Sequence, residues 1–70
     1  MENFSLIGVD GNAFSIMGYT AKALRQVGLS DKIEEMYESA TKGNYYRLIA
    51  VCDEYITMAN EKLNNVNEKD

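Results

Sequence analysis

The chain contains no histidine, no tryptophan and no proline, and Cys52 is its only cysteine. Each absence closes a route. Without histidine there is no side chain that titrates near neutral pH to act as a general base, so nucleophilic catalysis by Cys52 has no partner. One thiol cannot form a disulfide within the chain, and with no imidazole beside it cannot build the usual four-ligand zinc site. The lack of proline leaves the backbone free of deliberate helix breaks. No apolar run reaches the length of a bilayer span. No basic stretch followed by an apolar one opens the sequence, so a signal peptide is not expected, and the lone thiol makes the cytoplasm the expected compartment. Basic residues are outnumbered, seven against eleven acidic, giving a net charge of −4. Such a balance argues against phosphate-driven binding to nucleic acid, which draws its affinity from clustered lysine and arginine. Lys22 with Arg25 is the best basic pair, and it is a weak patch.

What is present is helical periodicity. Asp10 to Gly28 reads as one amphipathic helix, with Asp10 or Asn12 as N-cap and Gly28 at the position after the last turn, where a left-handed residue closes a helix and Leu29 folds back. Lys22 and Arg25 complement the negative pole of its dipole. Ala13, Phe14, Ile16, Met17, Thr20, Ala21, Ala23, Leu24 and Val27 cover about half its circumference at about 100° per residue. A helix so broadly apolar expects contacts from more than one side. Ser30 reads as the cap of a second helix, with Asp31 and Glu34 in its first turn. Ile33, Met36, Tyr37 and Ala40 form a narrow stripe, Glu38 and Lys42 are spaced for an i,i+4 pair, and Gly43 closes it. Asn44 caps a third helix, whose apolar face comprises Tyr45, Leu48, Ile49, Cys52, Tyr55, Ile56, Ala59 and Leu63, widened by Val51 and Met58.

The expected fold is therefore all-α. It is a compact three-helix domain over residues 1–63, with a short extended arm or strand at 1–9 and helices at about 11–27, 31–42 and 45–63. Residues 64–70 are polar and are expected to be disordered. The arm carries Phe4, Leu6, Ile7 and Val9, with Gly8 to turn it. No second strand-like run is available to pair with it. It must lie across its own helices, pair with the same segment of a second subunit, or stay mobile; the first two are favoured, the pairing slightly ahead.

Several motifs invite stronger readings. Asp10-Gly11-Asn12 begins like a calcium loop, but Ala13, Phe14, Ile16 and Met17 follow where further oxygen ligands are required, so helix capping is the better account. Met17-Gly18-Tyr19 is similar to the Met-Gly-Phe/Tyr loop of ubiquitin-associated domains, although it falls mid-helix here and no full helix precedes it. Glu34, Glu35, Glu38, Asp53 and Glu54 fall on solvent faces. Cys52 reads as a small buried hydrophobe. Tyr19 and Tyr46 point away from the main apolar faces, and tyrosine is enriched at interfaces.

The Asp10-Gly11-Asn12-Ala13-Phe14 opening, the helix end Leu24-Arg25-Gln26-Val27-Gly28 and the later Ala40-Thr41-Lys42-Gly43-Asn44-Tyr45 together resemble a group of very small phage- and mobile-element-encoded bacterial proteins. Those carry Ala where Val27 stands and Gly-Asp-Tyr where Gly43-Asn44-Tyr45 stands. The resemblance covers residues 6 to about 58 and implies a bacterial or phage origin and a cytoplasmic helical domain, with no activity attached. The reading that results is a non-enzymatic protein–protein interaction module acting as a dimer, with no catalytic, cofactor-binding or metal site. Phe4, Leu6, Ile7, Tyr19 and Tyr46 are its candidate interface. The alternative is a small DNA-binding regulator of helix-turn-helix type, disfavoured because Asp31, Glu34, Glu35 and Glu38 outnumber Lys32 and Lys42 on the would-be recognition helix.

Overall fold

The computed structural model describes the backbone of residues 3–68 and the side chains of residues 3–65. Three α-helices follow the N-terminal arm: α1 (Ala13–Gln26), α2 (Ile33–Ala40) and α3 (Tyr45–Glu68), with a single 3₁₀ turn, Ser30–Lys32, leading into α2. No strand occurs among the described residues.

The caps explain where the helices begin and end. Asn12 has extended backbone, and its side chain accepts from the Ser15 N–H at 3.0 Å; Asp10 instead accepts from the Asn12 N–H at 3.4 Å and shapes the approach. Asn44 caps α3 in the same way, accepting from the Arg47 N–H at 3.0 Å. At the end of α1, Gly28 takes a φ of +80°. The Leu29 N–H then donates to Leu24 O at 2.8 Å and the Gly28 N–H to Arg25 O at 3.2 Å. This is the paired-bond closure that a left-handed residue permits.

Three boundaries differ from the sequence expectation. Ser30 makes no cap to α2, because the 3₁₀ turn intervenes and no side chain caps the helix start. The helix closes at Thr41 rather than Gly43, and the Thr41 hydroxyl donates to Tyr37 O at 2.8 Å. The third helix does not stop at Leu63 but continues to Glu68, since no glycine or proline interrupts it. Leu63 remains the last buried side chain among those described. Of the tail expected to be disordered, residues 64–68 are thus helical, and 69–70 lie outside the described residues.

Side-chain contacts fix the topology. Tyr45, at the start of α3, donates its hydroxyl to Gly11 O just ahead of α1. Lys62, near the other end of α3, donates to Val27 O at 3.3 Å. The helices α1 and α3 therefore run in the same direction. Antiparallel to both is α2, since Arg47 Nε donates to Ser39 O at 3.0 Å and the Tyr55 hydroxyl reaches Glu35 Oε2 at 2.7 Å. The Arg47 guanidinium also places a cation at the negative pole of α2.

Leu24, Met36, Thr20 and Cys52 are the largest fully buried side chains, and Ile16, Met17, Ala23, Ile56 and Ala59 pack with them. The one buried hydroxyl, that of Thr20, donates to Ile16 O at 2.8 Å, so burial leaves it satisfied. Phe14 departs from the expected apolar face, being 85% exposed. Its phase is that of buried Met17 and Ala21, but phase does not say how far a neighbour extends along the axis.

Gly18 is solvent-exposed, and a Cβ built there would meet nothing within 4 Å. Close helix packing is therefore not the reason for a glycine in the middle of α1. Gly18→Ala should stabilise the fold by about 0.5–1 kcal/mol through helix propensity alone. Chemical denaturation measures this; a destabilised variant would mean that the position is packed after all.

Candidate functional site

Two features stand out on the surface, and they divide the five expected interface residues. The first is the docked arm. Phe4, Leu6 and Val9 are half-buried and pack on the core. The Phe4 N–H donates to Asn60 Oδ1 at 2.7 Å, and Asn60 Nδ2 donates back to Phe4 O at 3.0 Å. One carboxamide of α3 thus satisfies both backbone groups of an extended residue, as a neighbouring strand would. Beside it, the Ser5 N–H donates to the Tyr19 hydroxyl at 3.0 Å. The Phe4 and Tyr19 rings meet edge to face, their centroids 6.5 Å apart. This pair, with Lys22, Ala23 and Gln26, lines a hollow of about 220 Å³ on the flank of α1.

Between the docked part of the arm and α1, the Val9 N–H donates to Leu6 O at 3.1 Å, closing a tight turn with Gly8 at a φ of +88°. A left-handed third residue is what a type II turn requires. Pairing with a second subunit, the slightly favoured alternative, is therefore not needed to satisfy the arm: it lies along its own α1 and α3. The apolar surplus of those helices is covered in large part from within the chain.

The second feature is the end of the bundle where α1 and α3 begin. Ile7, at the tip of the arm's turn, is 93% exposed, Phe14 85%, Tyr46 81% and Tyr45 45%. The Tyr45 ring bridges the two helix starts through Gly11 and meets the Tyr46 ring edge to face at 6.4 Å. Of the expected interface, then, Ile7 and Tyr46 are free at this end, while Phe4, Leu6 and Tyr19 hold the arm in place. Phe14 and Tyr45 joined the exposed set only in three dimensions. Asn60 was also missed, although an asparagine between buried Ala59 and Leu63 is a weak signal, being a poor helix former that competes for backbone bonds.

Two further polar side chains, Cys52 and Tyr55, are held by contacts within the fold. Cys52 is fully buried, and desolvation raises its thiol pKa, with the Thr20 hydroxyl pulling the other way. A protonated, enclosed thiol is a poor nucleophile. The hydrogen bond that Tyr55 donates to Glu35 pushes the tyrosine pKa up to about 12, assisted by burial and by the charges of Glu35 and Glu54. Glu34, Glu35, Glu38, Asp53 and Glu54 are all solvent-exposed, as expected. No group of three or more His, Cys, Asp or Glu side chains among the described residues is placed to hold a metal ion. The Met17-Gly18-Tyr19 segment lies within α1 rather than in a loop, and Asp10-Gly11-Asn12 serves the cap. Among the described residues no helix is long and apolar enough to cross a membrane.

No protein-family model matches the chain, and neither a curated protein nor a solved structure matches it.

Proposed function

We propose that this chain is a non-enzymatic protein-interaction module that works as a dimer, meeting its second copy, and through it an unidentified protein, with the end of the bundle that carries Ile7, Phe14, Tyr45 and Tyr46. The observation that carries this reading is the exposure of these four large side chains beside two helix starts. Tyrosine and phenylalanine dominate the energetics of interfaces because they combine large apolar area with few rotatable bonds. A binding role fits the enclosed state of Cys52 and the absence of histidine from the sequence. The sequence resemblance to small phage- and mobile-element-encoded proteins supports a bacterial cytoplasmic setting.

Recognition of DNA by α2 is the weaker reading, for Glu34, Glu35 and Glu38 are exposed along an eight-residue helix. Phosphates would meet like charge there. Sedimentation at micromolar concentration tests the preferred reading. The intact chain should sediment as a dimer and the double variant Phe14→Ser, Tyr46→Ser as a folded monomer. An intact chain that remains monomeric would sink the proposal, and a low-salt gel shift would then decide for or against DNA.

A further inference from the structure

Of Asp10, Asp31, Asp53 and Asp70, only Asp10 is followed by glycine. It lies outside every helix, and both it and Gly11 are solvent-exposed. Its Oδ1 accepts from the Asn12 N–H at 3.4 Å, a bond that folds the carboxyl forward over the Gly11 peptide. Among the described residues no hydrogen bond occupies the Gly11 N–H, and a residue without Cβ leaves that nitrogen unshielded. The other described aspartates differ on this point. The Lys32 N–H after Asp31 donates to Leu29 O at 2.9 Å, and the Glu54 N–H after Asp53 belongs to the ladder of α3. We propose that Asp10–Gly11 is a self-modification site, at which aspartate isomerises to isoaspartate and thereby loosens the arm from the bundle.

The reaction needs only water. The Gly11 nitrogen bonds to Asp10 Cγ and gives up its proton, the carboxyl gives up a hydroxyl, and the two leave as water. Water then adds to one carbonyl of the resulting succinimide ring. Opening at the side-chain carbonyl restores aspartate. Opening at the main-chain carbonyl breaks its bond to the Gly11 nitrogen, leaves a free carboxylate there, and routes the chain through Cβ and Cγ. Nothing is oxidised or reduced, and the mass is unchanged. The position of this peptide gives the change its effect. It joins the arm, clamped at Phe4 by Asn60, to the start of α1, where Gly11 O accepts from the Tyr45 hydroxyl. An isoaspartate adds one atom to the main chain between these two anchors and removes the Asp10 oxygen that shapes the approach to Asn12. Both anchors cannot then keep their register.

Incubating the full-length chain at neutral pH and mapping its peptides by chromatography and mass spectrometry tests the site. Isoaspartate should accumulate at position 10 ahead of positions 31 and 53, with no change in mass, which separates it from deamidation of an asparagine. Asp10→Glu should abolish the product, because a five-membered ring can no longer close. Gly11→Ala should slow it by about two- to fivefold, the share of backbone freedom lost with glycine. That variant keeps the fold, since a Cβ at Gly11 meets the Tyr45 hydroxyl at an ordinary 3.5 Å. The isoaspartyl chain, separated from the unmodified one, should lose the contacts between the Phe4 and Tyr19 rings in NMR. Its melting temperature should fall towards that of a chain lacking residues 1–8. Isoaspartate no more frequent at position 10 than at 31 and 53, or undiminished in Asp10→Glu, overturns the site. An isoaspartyl chain that keeps the Phe4–Tyr19 contact and melts with the unmodified one overturns its control of the arm.

Discussion

Leu24→Ala should remove about 2–5 kcal/mol of unfolding free energy, the range for deleting a fully enclosed leucine and leaving a cavity. Leu24 is 0% exposed and sits at the centre of the α1 face. Alanine is the better helix former, so local propensity would mask rather than cause the loss. A domain of 70 residues commands only about 4–10 kcal/mol in total. The variant should therefore lose a large share of its stability, seen as a lowered midpoint in urea. Phe14→Ala, on the face that periodicity assigns to the same core, is the control. With its side chain in solvent, its effect should stay within about 0.5 kcal/mol. Equal losses at the two positions would refute the placement of Phe14 outside the core.

Removing residues 1–8 is the second large effect. Full burial of a phenylalanine or leucine stabilises by about 1.5–3 kcal/mol, and Phe4 and Leu6 are each half-buried, so roughly half of that applies to each. The Asn60 clamp adds two hydrogen bonds of about 1 kcal/mol apiece. The sum is about 3–5 kcal/mol, which for a domain of this size lowers the melting temperature by roughly 12–40 °C. Asn60→Ala separates the two contributions, since it keeps the apolar contacts and loses only the clamp. A truncated chain that melts with the intact one would show the arm to be dispensable.

How much of this could be read in advance follows from the range of each interaction. The caps at Asn12 and Asn44 and the closure at Gly28 involve residues within a few positions of one another, and their chemistry is written locally. The core stripe of α3 was legible for the same reason, one turn predicting the next. Phe14 was not, because its burial depends on which element lies alongside the first turn of α1, and phase does not carry that. Ser30 looked like a cap until three residues folded into a tighter turn ahead of α2. The division of the candidate interface, with Tyr19 held inward by the arm and Tyr46 left outside, rests on a contact that no periodicity encodes. Asn60 and Phe4 are 56 positions apart.

That separation has a consequence for synthesis. A chain made from its N-terminus exposes Phe4 long before Asn60 exists to receive it. At about 5–20 residues per second, the 56 intervening positions correspond to a wait of roughly 3–11 s. During that interval the growing chain carries an apolar arm with no groove to receive it, since α3 supplies one wall and the Asn60 clamp.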